Sequence, residues 1–67
     1  MVHINGKDID ADGVTLSDYL LNNGYSLAII AVEMNEKMIS KSEYKNVLLK
    51  SDDIVEIVNF VAGGWNC

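Results

Sequence analysis

Only one segment of this chain has the apolar spacing of an α-helix, and that segment is short. Leu16, Tyr19 and Leu20 form one helical stripe, Thr15 is a candidate N-cap, and Gly24 suits the left-handed position after a helix. The pattern predicts one helix over residues 15–23. Because so short a helix can cover only one face of a sheet, we expect a small sheet with a helix on one side.

The rest of the chain has the apolar pattern of β-strands. We predict strands over residues 1–4, 7–10, 26–34, 37–39 and 53–61. Asn5-Gly6 predicts a tight type I′ hairpin turn, because both residues tolerate positive φ. Residues 40–50 are polar and predict a loop with at most one helical turn. The expected fold class is α+β, with a mixed sheet of four to five strands.

A domain of 67 residues with a single cysteine, Cys67, has no internal disulfide and must be stabilised by packing. The 49% hydrophobic content is sufficient for a small core. A net charge of −5 argues against nucleic-acid binding and against a basic membrane anchor. The longest apolar run, residues 27–32, is too short to span a bilayer, and we see no signal peptide. We expect a cytoplasmic domain over residues 1–62 with a flexible tail over 63–67.

Catalytic and metal-binding patterns are weak in this sequence. Asp8, Asp10 and Asp12 match the start of a calcium loop, but Tyr19 stands where that loop needs a bidentate glutamate. His3 has no cysteine or carboxylate at the spacing of a metal or triad partner. We therefore expect no metal site and no enzymatic activity from the chain itself.

A diglycine, Gly63-Gly64, directly follows the last predicted strand. Glycine has no Cβ, so such a segment can enter a narrow slot in another protein. A diglycine alone is a weak signal, and a frayed tail is the simpler interpretation. Its position after a hairpin, a helix and further strands makes the signal stronger.

With these elements in place, the chain resembles the ThiS-type sulfur carriers of the ubiquitin-like β-grasp family over residues 1–64. The resemblance is most specific in segments 30–39, 49–58 and 61–64. Asn35, Asp53, Glu56 and the diglycine match the family pattern. Two features depart from it: Ser40-Lys41 replaces a frequent Pro-Arg, and Asp52 replaces a usual glycine, so we expect an altered turn there.

The resemblance implies a co-substrate of partner enzymes. An E1-like adenylating enzyme would activate the carboxyl group of Gly64 with ATP, and a sulfur donor such as a cysteine desulfurase would convert it to a thiocarboxylate. A thiazole synthase of the thiamine pathway, or another acceptor, would take the sulfur. The chain itself would bind no cofactor. Two alternatives remain open: a carrier for cysteine or homocysteine biosynthesis, and a ubiquitin-like binding module that carries nothing.

Trp65, Asn66 and Cys67 follow the diglycine and place the Gly64 carbonyl in a peptide bond. Three interpretations compete. A peptidase removes these residues, as JAMM-type zinc metalloproteases do for some carriers in the family; Cys67 acts as a persulfide carrier or reactive thiol; or the tail is incidental. Acidic surroundings do not lower a thiol pKa, so we favour cleavage over the thiol.

The last strand also predicts a partner interface. Val55 and Ile57 are expected to face the core, which turns Glu56, Val58 and Phe60 to the face opposite the helix. Exposed apolar residues beside an acid indicate a protein-binding surface. With Ala62 at its end, this face is the predicted docking site for the partners.

Overall fold

A computed structural model describes residues 1–59, which contain five strands, one α-helix and two 3-10 helices. The strands are β1 (Val2–Ile4), β2 (Lys7–Ile9), β3 (Ile30–Met34), β4 (Lys37–Ile39) and β5 (Ile54–Asn59). The helix α1 spans Leu16–Asn22, and the 3-10 helices span Leu27–Ile29 and Lys41–Asn46. Residues 60–67 lie outside the described part of the chain.

The five strands form one mixed sheet in the order β2-β1-β5-β3-β4. Strands β1 and β5 pair in parallel, whereas the other neighbours are antiparallel. The last strand in sequence is therefore the central strand of the sheet. This mixed sheet with one main helix confirms the predicted α+β, β-grasp fold class.

Helix α1 begins and ends where its sequence predicts. The Thr15 hydroxyl accepts a hydrogen bond from the backbone N–H of Asp18 at 3.2 Å, which is the expected N-cap. Gly24, with a φ of +79°, follows the C-cap residue Asn23. Leu16 and Leu20 are fully buried, so the predicted helical stripe faces the sheet.

The core lies between α1 and one face of the sheet. Its members come from every strand except β2 and β4, from α1, and from the connections between them. They are Val2, Ile4, Ala11, Leu16, Leu20, Ile30, Val32, Tyr44, Leu49, Val55 and Ile57. Side chains from strands at both ends of the sequence meet here, so the small domain closes around one continuous cluster without a disulfide.

Two predictions about the connections were wrong. Of the predicted strand 26–34, only Ile30–Met34 is extended, and Leu27–Ile29 is a 3-10 helix. The Nζ of Lys41 donates to the carbonyl of Ala28 at 2.9 Å, and Ile29 remains 41% exposed. A continuous apolar run does not distinguish a strand from a helical turn. This run covers both the connection that follows α1 and the first residues of β3, so it was read as one strand.

The predicted loop 40–50 contains more structure than one helical turn. Lys41–Asn46 forms a six-residue 3-10 helix that packs against α1 through buried Tyr44. Beyond it, the N–H of Leu16 donates to the carbonyl of Val47 at 2.8 Å, in a short antiparallel bridge. This bridge was not predicted, because it joins residues about 30 positions apart. Within residues 1–59, no helix has the length and apolar character needed to cross a membrane.

Candidate functional site: the outer sheet face

The face of the sheet opposite α1 carries the exposed side chains of β3, β4 and β5. Val55 is fully buried and Ile57 is 7% exposed, as predicted, so alternation places Glu56 and Val58 on the opposite side. We call this surface the outer sheet face. Its members are Ala31, Glu33, Met38, Ile54, Glu56 and Val58.

Three large apolar side chains on this face are exposed. Met38 is 67% exposed, and Ile54 and Val58 are each 53% exposed. Val58 lies opposite Ala31 in the antiparallel register of β5 and β3. Exposed apolar side chains gathered on one face, with charged neighbours, are typical of protein-binding surfaces.

A pair of acidic residues occupies the middle of the outer sheet face. Glu33 on β3 lies directly opposite Glu56 on β5, and Met38 on β4 lies opposite Glu33. One row across three strands therefore carries an apolar side chain and two carboxylates. Like charges directly opposite each other on a sheet are destabilising.

His3 has a carboxylate partner that the sequence spacing did not reveal. The β1–β2 register places His3 opposite Asp8, and the His3 Nδ1 forms a hydrogen bond with the Asp8 carboxylate. The acidic residues 8, 10 and 12 do not gather, and Asp12 instead pairs with the N-terminal amine at 3.3 Å. Within the described range, no group of three His, Cys, Asp or Glu side chains is placed to hold a metal ion.

Two asparagines in hairpin turns bind the backbone of β5 from opposite sides. The Oδ1 of Asn5 accepts a hydrogen bond from the N–H of Ile57 at 2.7 Å. The Oδ1 of Asn35 accepts one from the N–H of Ile54 at 2.9 Å. From the sequence, Asn5 was identified as a turn residue and Asn35 as a match to the family pattern, but their hydrogen bonds to β5 were missed. The signal available in the sequence was an asparagine before each of the two paired strands.

The turn that leads into β5 is fixed by Asp53. Its carboxylate accepts hydrogen bonds from the N–H of Lys50 at 2.9 Å and from the Nδ2 of Asn35 at 3.2 Å. Asp52, which stands where a glycine is usual in the resembled family, has a φ of +73°. At this position the turn adopts the left-handed backbone conformation that glycine favours, although the residue is an aspartate.

Strand β5 leads toward the diglycine. Gly64 is five residues beyond Asn59, so it can lie at most about 18 Å from the end of the strand. Seven residues of the predicted site lie outside the described part of the chain and remain predictions: Phe60, Ala62, Gly63, Gly64, Trp65, Asn66 and Cys67. Of the predicted interface, the structure describes Glu56 and Val58.

A β-grasp domain whose central strand leads to a diglycine belongs to the ubiquitin-like class of proteins. The ThiS family model matches residues 2–64. The sulfur carrier protein ThiS of Bacillus subtilis is 39% identical over 66 residues, covering 96% of this chain and 100% of that protein. The corresponding protein of Thermus thermophilus is 34% identical over 64 residues, covering 96% of this chain and 100% of its own length. The chain belongs to the ThiS family, and the predicted sulfur carrier function is confirmed.

Two further comparisons concern a larger protein and the fold. A thiazole synthase of Magnetococcus marinus is 38% identical over 64 residues, covering 94% of this chain and 20% of that protein. The chain therefore spans about a fifth of the length of that relative. The crystal structure of ThiS from Geobacter metallireducens superposes with a TM-score of 0.73 at 22% identity, covering 94% of this chain and 97% of that one. This likeness independently supports the β-grasp fold.

Proposed function

We propose that the chain carries sulfur for thiamine thiazole formation, as a thiocarboxylate on Gly64. The observation that carries the proposal is the extent of the family match, which runs from residue 2 to Gly64. The relative named as a thiazole synthase contains a segment 38% identical to this chain. Because a protein named as a thiazole synthase includes this carrier-like segment in the same chain, the match supports a thiazole synthase as the acceptor of the sulfur.

The chemistry begins with the bond between Gly64 and Trp65. Hydrolysis of this bond, by a peptidase such as a JAMM-type zinc metalloprotease, frees the Gly64 carboxylate. An E1-like enzyme then joins the carboxylate to the AMP portion of ATP and releases pyrophosphate. The persulfide of a donor such as a cysteine desulfurase then attacks the acyl-adenylate, displaces AMP and forms an acyl disulfide. A thiol reductant cleaves the sulfur–sulfur bond and leaves the thiocarboxylate.

The chain's own contribution is presentation of the terminus. Strand β5 is central in the sheet, and Asn5 and Asn35 hold its backbone from both sides. The outer sheet face includes side chains of β5, the strand that precedes Gly64 in the sequence, and offers exposed apolar side chains to an enzyme. The protein is thus a co-substrate, and ATP is bound by its activating partner in the cytoplasm.

The experiment compares the chain over residues 1–67 with a version that ends at Gly64. Each is mixed with ATP and the E1-like enzyme of the same organism, and ATP–pyrophosphate exchange is measured. We expect exchange from the chain ending at Gly64 and none from the longer chain until a peptidase has acted. Full-length chain with Cys67→Ser is the control for the thiol interpretation and should behave as the unaltered full-length chain does.

Mass spectrometry then follows the product after a cysteine desulfurase, cysteine and a thiol reductant are added. We expect the mass gain that corresponds to replacement of one oxygen by sulfur at the C-terminus. Exchange by the untrimmed chain, or a sulfur adduct that disappears with Cys67→Ser, would overturn the proposal. An adduct that an enzyme of cysteine or homocysteine synthesis consumes, and thiazole synthase does not, would support the amino-acid alternative.

A further inference from the structure

Strand β5 loses one of its two neighbouring strands before it ends. The parallel register with β1 stops where Ile4 lies opposite Val55, whereas β5 continues to Asn59. On its other side, β5 stays paired with β3 as far as Asn59. Within residues 1–59, the end of the central strand thus has a sheet neighbour on one side only. We call the other side, from Ile57 to Asn59, the open edge of β5.

The hydrogen bonds around Asn5 identify the backbone groups at the open edge. The carbonyl of Val55 accepts from the N–H of Asn5, and the N–H of Ile57 donates to the Oδ1 of Asn5, so odd-numbered residues of β5 face the β1 side. The next groups on that side are the carbonyl of Ile57 and the N–H and carbonyl of Asn59. These three groups have no hydrogen-bond partner among residues 1–59.

The open edge has no feature that keeps another strand away. Protein edges are usually covered, or blocked by lysine, proline or a bulge. Residues 57–59 carry no charge, and the chain contains no proline. The neighbouring turn bends away with a φ of +80° at Gly6, where no atom lies within 4 Å of the position that a Cβ would take. An extended chain therefore has both free hydrogen-bonding groups and space at this edge.

The open edge precedes the bond that must be broken. Gly64 is five residues beyond Asn59, and every residue from Asn59 to Trp65 has a backbone N–H. Strand addition binds a chain through its backbone groups, in a form that continues along the sequence. A peptidase has to hold the chain on both sides of the bond it cleaves, whereas an adenylating enzyme has to hold a free terminus. Backbone pairing along a continuous chain thus suits the peptidase.

We propose that the peptidase that removes residues 65–67 recognises the carrier by strand addition at the open edge of β5. An extended segment of the peptidase accepts a hydrogen bond from the N–H of Asn59 and donates one to the carbonyl of Ile57. The inference rests on the proposed function and adds how the peptidase binds its substrate. It also explains why β1 stops short of the end of β5, because a longer β1 would cover the groups that the peptidase needs.

The first experiment removes one donor from the open edge with Asn59→Pro. Proline lacks the N–H, and the N–H of Asn59 faces away from β3, so the hydrogen bonds between β5 and β3 should remain. The variant, over residues 1–67, is digested with the JAMM-type peptidase of the same organism, and release of the last three residues is measured. KM should rise about tenfold with kcat unchanged, because the acceptor on the peptidase is left unpaired.

Asn59→Ala is the matched control, since it removes the side chain and keeps the N–H. It should leave KM within about twofold of the unaltered chain. An equal rise in KM with Asn59→Ala would assign the effect to the side chain and overturn the inference, as would an unchanged KM with Asn59→Pro. A proline variant that does not fold would show that the domain itself needs this N–H, which also contradicts an open edge.

Hydrogen exchange tests the edge in the unaltered chain. In the free chain, the N–H of Asn59 should exchange much faster than that of Val58, which faces β3. The peptidase without its zinc cannot cleave, and its addition should slow exchange at Asn59 at least about tenfold. Slow exchange at Asn59 in the free chain would mean that another segment or a second copy covers the edge, and would overturn the inference.

The two proposals fail separately. Protection of Asn59 by the zinc-free peptidase supports strand addition even if the trimmed chain gives no ATP–pyrophosphate exchange, in which case only the proposed function fails. Cleavage after Gly64 that Asn59→Pro does not slow leaves the proposed function intact and overturns strand addition. Protection of Asn59 by the adenylating enzyme and not by the peptidase would identify a different occupant and would also overturn it.

Discussion

The side chain of Asn5 takes the place of a backbone group in the ladder between β1 and β5. Its Oδ1 accepts from the N–H of Ile57 at 2.7 Å, and its own N–H donates to the carbonyl of Val55 at 2.9 Å. Strand β1 ends at Ile4, so Asn5 extends the pairing by one further bond while its backbone turns away with a φ of +52°. One residue thus closes a hairpin and anchors the central strand.

Asn5→Ala should lower the free energy of unfolding by about 2–3 kcal/mol. The substitution leaves the partly buried N–H of Ile57 without its side-chain acceptor and puts an alanine at positive φ. Urea denaturation followed by circular dichroism measures the change. Asn5→Gly is the control, because glycine accepts the backbone conformation and loses only the acceptor. Equal stability of all three chains would contradict the anchoring role.

Asp52→Gly should raise the free energy of unfolding by about 0.5 kcal/mol. A φ of +73° strains the backbone of an aspartate but not that of a glycine. The strain energy removed by the substitution should exceed the free-energy cost of the extra conformational entropy that glycine gives the unfolded chain. Lys50→Gly, at a position without positive φ, should instead lower the stability by about 0.5–1 kcal/mol. Thermal unfolding of both variants measures these changes in stability. A loss of stability in Asp52→Gly would contradict the prediction that Asp52 is strained.

Tyr44→Phe should make the domain more resistant to alkaline unfolding. Burial raises the pKa of the Tyr44 hydroxyl above its usual value near 10. The unfolded chain therefore loses this proton at a lower pH than the folded chain does. The resulting stability is present below about pH 10 and is lost as the pH rises through the higher folded pKa.

Urea midpoints measured between pH 8 and pH 11 test the alkaline prediction. The unaltered chain should lose stability over the upper part of this range, and Tyr44→Phe should lose less. Burial, and secondarily the charge of Tyr25, also raises the pKa of Tyr19, so Tyr19→Phe should reduce the remaining loss. If the urea midpoints of the unaltered chain and both variants fell equally with pH, the two tyrosines would not be the cause of the alkaline loss of stability.

Val58→Ser should weaken docking of the adenylating enzyme while leaving the fold intact. Val58 is 53% exposed on the outer sheet face, so its removal should change the free energy of unfolding by less than about 1 kcal/mol. The KM for the carrier should rise several-fold, because apolar contact area is lost. Leu21→Ser, at a 57% exposed position on α1, is the matched control and should leave KM unchanged. A larger effect of Leu21→Ser would place the interface on the helix side.

Local features of the sequence were sufficient to predict much of the fold. Asn5-Gly6 occupies the predicted hairpin turn, with φ values of +52° and +80°. Thr15 and Gly24 mark the ends of the helix, and the alternation in β5 placed Val55 and Ile57 in the core. Each of these depends on neighbouring residues alone, through turn chemistry, capping or the two-residue period of a strand.

The sequence could not show the features that depend on contacts between distant segments. The 3-10 helix Lys41–Asn46 forms where Tyr44 enters the core beside α1, and nothing in its polar sequence indicates that contact. The same holds for the opposition of Glu33 and Glu56, which are 23 residues apart and meet only because β5 inserts between β1 and β3.

The sequence by itself determined the first hairpin turn, the ends of the helix, the buried face of β5 and the position of the diglycine, because these depend on short-range patterns and motifs. Only the tertiary structure decided which side chains share the outer sheet face and which turns hold β5. The reason is physical: the register between strands is set by simultaneous packing of the whole core, and a shift of one residue would exchange the buried and exposed faces.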